Sequence, residues 1–479
     1  LNVSYNTVNN NTGSNVNHAT TFRGIYLNTA TSANATISNN TVSLQSGATT
    51  SACTAIDNQS GSTAASNTIN ITNNTVNVGY PTATSGVYTA INNSATATTV
   101  NINNNTITQI PAVALAGTGT HVMIETGSPV SANANNNTIS NITRNGASGS
   151  WRSIKTTSPT NFTANGNTIE NLSWSLVTST GGIDGIYSFS SAVNVTANNN
   201  IIRNLSTPTT GTIRGIVEFG NSGLKTFQNN QIYNFSTTAG GAGGATFTGI
   251  SESTGTTNDI SNNRIYSLNS TGTTGGTSGT IVGITVSSGT TNNIYKNKVY
   301  DLSTTSTGGN VNGITVSGGT TSNVYNNLVG DLRATALNAA NSLGGINISG
   351  GTTSNVYYNT VYLNATSTGA LFGSAALNAS TSPNLTLRNN IFVNLSTPVG
   401  ATGFTVAYRR SGTTLTSYNS NSNRNLFYAG APGANNLIYY DGTTPYSGLV
   451  AYQGLVTPRD ANSVTETVSP TAGVYFQSL

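Results

Sequence analysis

Residues 283–302 read GITVSSGTTNNIYKNKVYDL, and residues 313–332 repeat them as GITVSGGTTSNVYNNLVGDL. In the first copy Ile284 and Val286 alternate with polar residues, and Ile294 and Val299 are also flanked by polar residues, which is typical of half-buried strands. Gly-Thr-Thr and Asn-rich steps lie between the apolar positions, and Gly and Asn tolerate the positive φ of tight corners. The unit therefore predicts two or three short strands joined by turns.

The same unit recurs outward in both directions along the chain. Its marker is an Asn followed two residues later by Ile, Val or Phe, and successive markers are 30 to 35 residues apart. A Gly-Ile pair precedes the marker by about fifteen residues in the best-preserved copies, at Gly185, Gly215, Gly249, Gly283, Gly313 and Gly345. The fourteen markers are Asn6, Asn40, Asn74, Asn105, Asn137, Asn167, Asn200, Asn230, Asn263, Asn297, Asn327, Asn359, Asn390 and Asn425.

This period predicts an all-β, right-handed parallel β-helix of about 14 coils, a solenoid in which stacked coils share one continuous core. Asn, Thr, Ser and Gly are poor helix formers, which argues against a helical solenoid. A spacing of ~4.8 Å per coil gives a rod roughly 65 Å long, with the marker amides stacked as a ladder. Residues 1–428 are assigned to the repeats, and residues 429–479 to a C-terminal cap or a link to a further domain.

Composition narrows the classes of function. Only 6% of the 479 residues are charged, and the sixteen basic residues are scattered, with Arg409-Arg410 the one tandem pair. Nucleic-acid binding needs a concentrated basic stripe, so none is expected. No apolar run approaches the ~20 residues of a membrane helix. The single cysteine, Cys53, is expected to be a small buried residue, and the start at Leu1 suggests a segment of a longer protein.

The NNxI and NNxV corners resemble the asparagine ladders of the pectate-lyase-like right-handed β-helix superfamily. The stretch Asn425–Val468, with NLFY and AYQGLVTPRDANSV, resembles the last coil and cap of bacterial β-helix-repeat proteins. Charge-poor, Asn/Thr/Gly-rich members resemble long surface proteins and adhesins, including substrates of type IX secretion. The resemblance implies a secreted protein that is extracellular or on the cell surface.

Enzymes of that superfamily use an Arg or Lys base, often with Ca²⁺ held by Asp clusters, or grouped carboxylates. Among the twelve acidic residues here, only Asp301 and Asp331 lie in matching register, each four residues past its marker. Adjacent coils would place them near the ~5 Å separation of retaining glycosidases. The alternative is that they are substituted corner residues, because the same column holds Asn141, Asn171, Asn204, Asn234, Ser267 and Asn394.

Tyrosines form two columns that the alternation of side chains places outside the core. Their flat faces and hydroxyl tips would suit a sugar or a partner protein, and the alternative is packing beneath the adjoining loops. The first column is Tyr233, Tyr266, Tyr300 and Tyr362, and the second is Tyr295, Tyr325 and Tyr357.

Other chemistry-bearing residues are isolated in the sequence. His18 and His121 have no carboxylate or thiol at a useful spacing, so no metal site or nucleophile–base pair is predicted, and no cofactor is expected. Arg409-Arg410 is interpreted as a solvated surface pair, with binding of an anionic sugar as the alternative.

The sequence thus favours a non-catalytic extracellular rod, structural or adhesive, within a larger surface or matrix protein. Its expected partners are surface glycans or other copies or domains of the parent protein. The alternative is a polysaccharide-binding or polysaccharide-degrading β-helix, a lyase or hydrolase acting through Asp301, Asp331 and the tyrosines. A phage tailspike shaft is a third possibility.

Overall fold

The structure is a computed structural model that describes residues 1–10, 16–29, 33–176, 178–189, 191–208, 210–237, 244–271 and 279–467. It divides into two compact units, Leu1–Gly241 and Ala242–Leu479. Both units are built from the same coil of three strands, and together they supply about 13 turns of a parallel β-solenoid that matches a right-handed β-helix. The predicted right-handed parallel β-helix is confirmed. The predicted number of about 14 coils agrees with the observed number of about 13 turns, because fourteen markers delimit thirteen intervals.

The described residues of unit 1 form 23 strands. They are β1 (Asn2–Ser4), β2 (Thr7–Asn9), β3 (Phe22–Leu27), β4 (Ala35–Ser38), β5 (Thr41–Gln45), β6 (Cys53–Asn58), β7 (Thr68–Thr72), β8 (Thr75–Gly79), β9 (Tyr88–Asn93), β10 (Thr99–Asn103), β11 (Thr106–Gln109), β12 (His121–Glu125), β13 (Ser131–Asn133), β14 (Thr138–Arg144), β15 (Ser150–Thr156), β16 (Asn161–Thr163), β17 (Thr168–Trp174), β18 (Gly182–Ser188), β19 (Asn194–Asn198), β20 (Ile201–Thr207), β21 (Thr212–Glu218), β22 (Leu224–Gln228) and β23 (Gln231–Thr237).

In unit 2 the part of the chain that the structure describes forms 19 strands and one helix. They are β24 (Thr246–Glu252), β25 (Thr257–Ser261), β26 (Arg264–Ser270), β27 (Ile281–Val286), β28 (Thr291–Tyr295), β29 (Lys298–Thr304), β30 (Val311–Val316), β31 (Thr321–Tyr325), β32 (Leu328–Ala334), β33 (Ala339–Ile348), β34 (Thr353–Tyr357), β35 (Thr360–Leu363), β36 (Phe372–Ala379), β37 (Asn384–Arg388), β38 (Ile391–Asn394), β39 (Thr405–Arg410), β40 (Leu426–Tyr428), β41 (Asn436–Tyr440), β42 (Pro445–Tyr446) and α1 (Leu449–Val456).

Within each unit the strands form three parallel sheets, and each coil contributes one strand to each sheet. Sheet 1 comprises β1, β4, β7, β10, β13, β16, β19 and β22 in unit 1, and β25, β28, β31, β34 and β37 in unit 2. Sheet 2 comprises β2, β5, β8, β11, β14, β17, β20 and β23, and then β26, β29, β32, β35, β38 and β40. Sheet 3 comprises β3, β6, β9, β12, β15, β18 and β21, and then β24, β27, β30, β33, β36, β39, β41 and the antiparallel β42.

Equivalent residues of successive coils lie directly beside one another. Ile284 pairs with Ile314, and Ile314 pairs with Ile346, so each apolar column fills the core at one level after another. These side chains are fully buried. The alternation seen in the sequence therefore separates a core face from an outer face in every sheet.

The Gly-Ile pair of the repeat has a steric cause. A Cβ atom on Gly313 would lie 2.3 Å from Val329 Cγ1 and 2.6 Å from the carbonyl oxygen of Gly345 in the next coil. Gly283 meets Val299 and Gly313 at the same two distances. Only glycine fits where sheet 3 approaches sheet 2 this closely, which explains why the pair recurs.

The C-terminal region closes the last coil of unit 2. The parallel stacking of sheet 3 extends through β41, which lies beyond residue 428, before β42 ends the sheet in an antiparallel pairing. Helix α1 follows and buries Tyr452 and Val456. Residues 468–479 of the predicted cap lie outside the described part of the chain.

Candidate functional site

The marker asparagines form the predicted ladder in both units. Each side-chain Nδ2 donates to the Oδ1 of the next marker at 2.9–3.1 Å, from Asn6 to Asn230 and from Asn263 to Asn425. Apart from Asn6, the ladder residues are at most 1% exposed. The residue before each marker is in the left-handed region, which makes the sharp corner between sheets 1 and 2.

Further amide columns were not predicted from the sequence. In unit 2 the outward Asn293, Asn323 and Asn355 are linked by amide hydrogen bonds of 2.9 Å, and Asp259 accepts a bond from Asn293. In unit 1, Asn171 donates to Asn141 at 3.0 Å and Asn204 donates to Asn171 at 2.8 Å. Their signal in the sequence was the abundance of Asn at positions other than the marker.

Asp301 and Asp331 occupy a column of left-handed residues in sheet 2. Their φ values are 54° and 47°, and Asn141, Asn171, Asn204, Asn234 and Ser267 of the same column have φ of 55–61°. Asn and Asp adopt this conformation more readily than other residues with a side chain, so the backbone explains the column without reference to catalysis. Asn394 differs, because it is buried and bonded to Ser374 rather than left-handed.

The two aspartates share one cation. Arg333 forms an ion pair with Asp331 at 2.6 Å through Nη1 and another with Asp301 through Nη2, and Ser267 donates to Asp301 at 2.5 Å. Partial burial raises the pKa of Asp331, the Arg333 charge opposes that shift, and the charge of Asp301 adds to it. All three charged side chains remain partly exposed. The pair is thus a bridged surface cluster.

The first tyrosine column is mostly covered. Tyr300 and Tyr362 are buried, as the packing alternative predicts, and the ring of Tyr266 stacks on that of Tyr300 at 5.1 Å. Arg264 Nε donates to the hydroxyl of Tyr300 at 2.6 Å. In unit 1 the column contains Tyr233, whose hydroxyl accepts a bond from Arg203 at 2.9 Å. These rings therefore pack against their own neighbours along the sheet.

The second column stacks ring on ring. Tyr295 and Tyr325 have centroids 4.8 Å apart and planes within 1° of parallel, and Tyr357 follows in register. All three residues are half-buried. Because the rings stack along the solenoid axis, the faces between them contact each other. A ligand beside the column would therefore meet ring edges and hydroxyl groups rather than the flat ring faces expected from the sequence.

The outer face of sheet 3 in unit 1 carries a charged cluster. Asp184 is buried between Arg214, at 2.7 Å, and Arg152, at 3.9 Å, and Arg152 lies 4.0 Å from the ring centroid of Tyr187. Burial raises the pKa of Asp184, whereas the two arginines lower it. Parallel register places the three charged residues in adjacent coils, at equivalent positions. Periodicity alone did not single them out, because the column carries a charged residue in only a few coils.

Several ionisable groups are buried in unit 1. Arg144 is enclosed, donates to the carbonyl oxygens of Ser150 and Gly117, and lies 4.4 Å from the Trp174 ring; burial lowers its pKa to about 9. Lys225 and Glu218 form a buried ion pair at 3.1 Å. These charged groups therefore make their contacts within the fold, and none of the contacts was predicted from the sequence.

The two histidines and the cysteine differ in their burial and in their hydrogen-bond partners. His121 is buried, its Nδ1 lies 3.0 Å from the backbone N of Tyr88, and burial lowers its pKa to about 3. His18 is partly exposed, with Nε2 2.8 Å from the Ser46 hydroxyl. Cys53 is buried, as predicted, and burial raises the pKa of its thiol. Within the described residues no three His, Cys, Asp or Glu side chains come together as a metal site would require.

The interpretation of Arg409-Arg410 as a solvated surface pair is wrong. Arg410 points into the core, where it bonds the Tyr408 hydroxyl at 3.2 Å and the Thr414 carbonyl at 3.0 Å. Arg409 is on the outer face of sheet 3 but is only 9% exposed, beneath a wall that contains Ala340. It lines a cavity of about 460 Å³ in unit 2.

No protein-family model, curated protein or solved structure matches this chain. In the part of the chain that the structure describes, no helix combines the length and the apolar character needed to cross a membrane.

Proposed function

We propose that the chain is a non-catalytic structural or adhesive solenoid, a rod that forms a segment of a larger surface or matrix protein outside the cell. One observation carries the proposal: the same buried amide ladder links coil after coil in each unit at 2.9–3.1 Å. Such repetition stiffens a solenoid along its axis. A rigid module of this kind suits a role in spacing or display.

The ion pairs of the candidate carboxylates support a role without catalysis. Asp301 and Asp331 are both paired with Arg333, and Asp184 lies between two arginines. A general acid or base needs a carboxylate that can exchange a proton with substrate. The arginines hold these carboxylates in place through ion pairs, which suits a structural contact better than proton transfer.

The extracellular location is supported by composition and by resemblance. The chain is poor in charge and rich in Asn, Thr, Ser and Gly, and in this composition it resembles long surface proteins and adhesins. Surface glycans, or other copies or domains of the parent protein, are the partners that this location implies.

A turnover assay tests the non-catalytic role. The full chain is incubated with a broad panel of neutral and acidic polysaccharides, with and without Ca²⁺, while reducing ends and unsaturated products are followed. We expect no product above the buffer control. Product that disappears in Asp301→Asn or Asp331→Asn, but not in the control Asp259→Asn, would overturn the proposal in favour of an enzyme.

The rod is tested by particle length. Negative-stain electron microscopy of the full chain should show elongated particles near the roughly 65 Å that stacked coils at ~4.8 Å require. Compact globules would contradict a rod and leave only the coil architecture of the separate units.

Glycan binding is the second candidate function, and the cavity beside Arg409 favours it. The cavity combines a cationic side chain with the aromatic rings of Phe404 and Tyr440 and with several amide and hydroxyl groups. Ligand sites commonly pair apolar walls with a few polar groups in this way. Binding at this cavity would serve an adhesive rod as well as a degrading enzyme.

A further inference from the structure

Arg409 is an outward-facing cation that the fold has covered. It belongs to β39, in register with Asn378 of the preceding coil and Tyr440 of the following one. Its guanidinium carbon lies 4.9 Å from the ring centroid of Tyr440. The Phe404 ring lies 5.0 Å from the same ring, tilted by 52°. Two aromatic rings thus line the same cavity as the cation of Arg409.

The charge of Arg409 is not neutralised by the described residues. Among the described residues Arg409 has one hydrogen-bond partner, the carbonyl oxygen of Ala340, which lies 3.3 Å from Nη1. The Nε of Arg409 has no partner there. The ion pairs of the described residues do not include it. Burial lowers its pKa, as expected for a cation removed from water without an acid beside it. A covered cation of this kind is stabilised when an anion binds.

A local insertion builds the cavity wall. Strand β33 is ten residues long, against six in β30, and its pairing with β36 shifts register between Ala339 and Leu343. The extra residues place Ala340 and Asn341 beside the cavity. Bulges of this type re-aim side chains at the edges of binding sites.

The remaining walls can bind sugar hydroxyl groups. Asn378, Ser380 and Thr402 line the cavity together with Asn341. The cavity volume of about 460 Å³ falls within the ~300–1,000 Å³ common for ligand pockets. Aromatic rings supply flat apolar surface next to these polar groups, as a sugar ring requires.

We propose that this cavity binds a carboxylate-bearing saccharide, with the guanidinium of Arg409 holding the carboxylate and the ring of Tyr440 contacting the sugar. The proposal rests on the adhesive role proposed above, for which it names the ligand class. Arginine is suited to a carboxylate because its planar donors match the two oxygens. A neutral sugar of the same size would leave the charge unpaired and should bind more weakly.

Isothermal titration calorimetry of the full chain tests the site. The ligands are trigalacturonic acid and its methyl-esterified form, which has the same length without the charge. We expect the acid to bind at least about 10-fold more tightly than the ester. Arg409→Gln should weaken binding of the acid by a similar factor, whereas Arg424→Gln, at an exposed arginine in the same unit, should leave it unchanged.

The outcomes separate the site from the proposed function. Equal binding of acid and ester by the wild-type chain would overturn the site even if Arg409→Gln failed to fold. Unchanged affinity in a folded Arg409→Gln variant, or no binding by the wild-type chain, would overturn it as well and leave the non-catalytic rod standing. Cleavage of the trisaccharide during titration would instead overturn the non-catalytic role while the site is retained.

Discussion

The ladder asparagines use the whole hydrogen-bonding capacity of their side chains. Asn297 Nδ2 donates to Asn327 Oδ1 at 3.0 Å and to the Ile260 carbonyl at 2.8 Å, and its Oδ1 accepts from both nitrogens of Asn263 at 3.0 Å. A buried polar group left without a partner costs more than a typical hydrogen bond contributes. Each ladder amide therefore supports the coil on either side of it.

Asn297→Leu should lower the free energy of unfolding by about 1–3 kcal/mol, because Asn263, Asn327 and Ile260 would each lose a partner. Thermal and urea denaturation of the full chain measure the loss. Asn310→Leu, at an exposed asparagine in a loop of the same unit, is the control and should change little. An unchanged melting temperature in Asn297→Leu would mean that the ladder adds little to stability.

His121 makes stability depend on pH in a known direction. The buried imidazole stays neutral down to its pKa of about 3, whereas in the unfolded chain it takes up a proton below about 6.5. The folded state thus binds fewer protons between these values. The stabilising contribution is complete above pH 6.5 and is lost as the pH falls toward 3, at up to about 1.4 kcal/mol per pH unit.

His121→Asn should therefore flatten the fall in urea midpoint between pH 7 and pH 4.5, even though it lowers stability at neutral pH by disturbing the contacts with Tyr88 and Ala116. The same change at the partly exposed His18 is the control. If the His121→Asn and wild-type midpoints fall in parallel, the buried imidazole is not responsible for the acid sensitivity.

At the level of the strand, one atom decides whether sheet 3 can approach sheet 2. Gly313→Ala places a Cβ 2.3 Å from Val329 Cγ1 and 2.6 Å from the Gly345 backbone, and backbone in the next coil cannot move aside cheaply. We expect a loss of about 1–3 kcal/mol, typical of overpacking. Denaturation with urea measures it.

The matched control is a glycine in the opposite situation. Gly454 lies within α1, and a Cβ there would meet no atom within 4 Å. Alanine is the better helix former by about 0.5–1 kcal/mol, so Gly454→Ala should stabilise or leave the protein unchanged. If both variants lose stability equally, the close approach at Gly313 is not what fixes the glycine column.

These strands also show which features of the fold could be predicted from the sequence. The period revealed the coil, the ladder and the Gly-Ile pair because each recurs in many copies. Features that occur only once were not predicted, or were predicted wrongly. The burial of Arg409 depends on a single bulge in β33. Arg144 is enclosed by backbone carbonyl groups. A repeat fixes the average coil, whereas a site arises where one coil departs from the average.

Across the whole molecule, stability adds up from one coil to the next within each unit, so an uncovered end is a weak point. In unit 2 the end is closed by a cap of residues 441–467, which lies within the range 429–479 predicted from the sequence. Asp460 accepts a hydrogen bond from the last ladder residue, Asn425, at 2.9 Å and another from the Tyr452 hydroxyl at 2.5 Å. The Tyr452 ring lies 4.9 Å from that of Tyr439. The cap thus completes the ladder and covers the aromatic end of the core.

Removal of the cap should therefore cause self-association. A chain of residues 1–440 would expose the edges of β40 and β41, and open strand edges pair with other chains. Light scattering and sedimentation velocity should show oligomers that grow with concentration. A chain of residues 1–467, which keeps α1 and Asp460, is the matched control and should behave as the full chain does. If residues 1–440 match this control in mass at every concentration, the cap is not what protects the last coil, and the edges of β40 and β41 must be protected by features of the strands themselves.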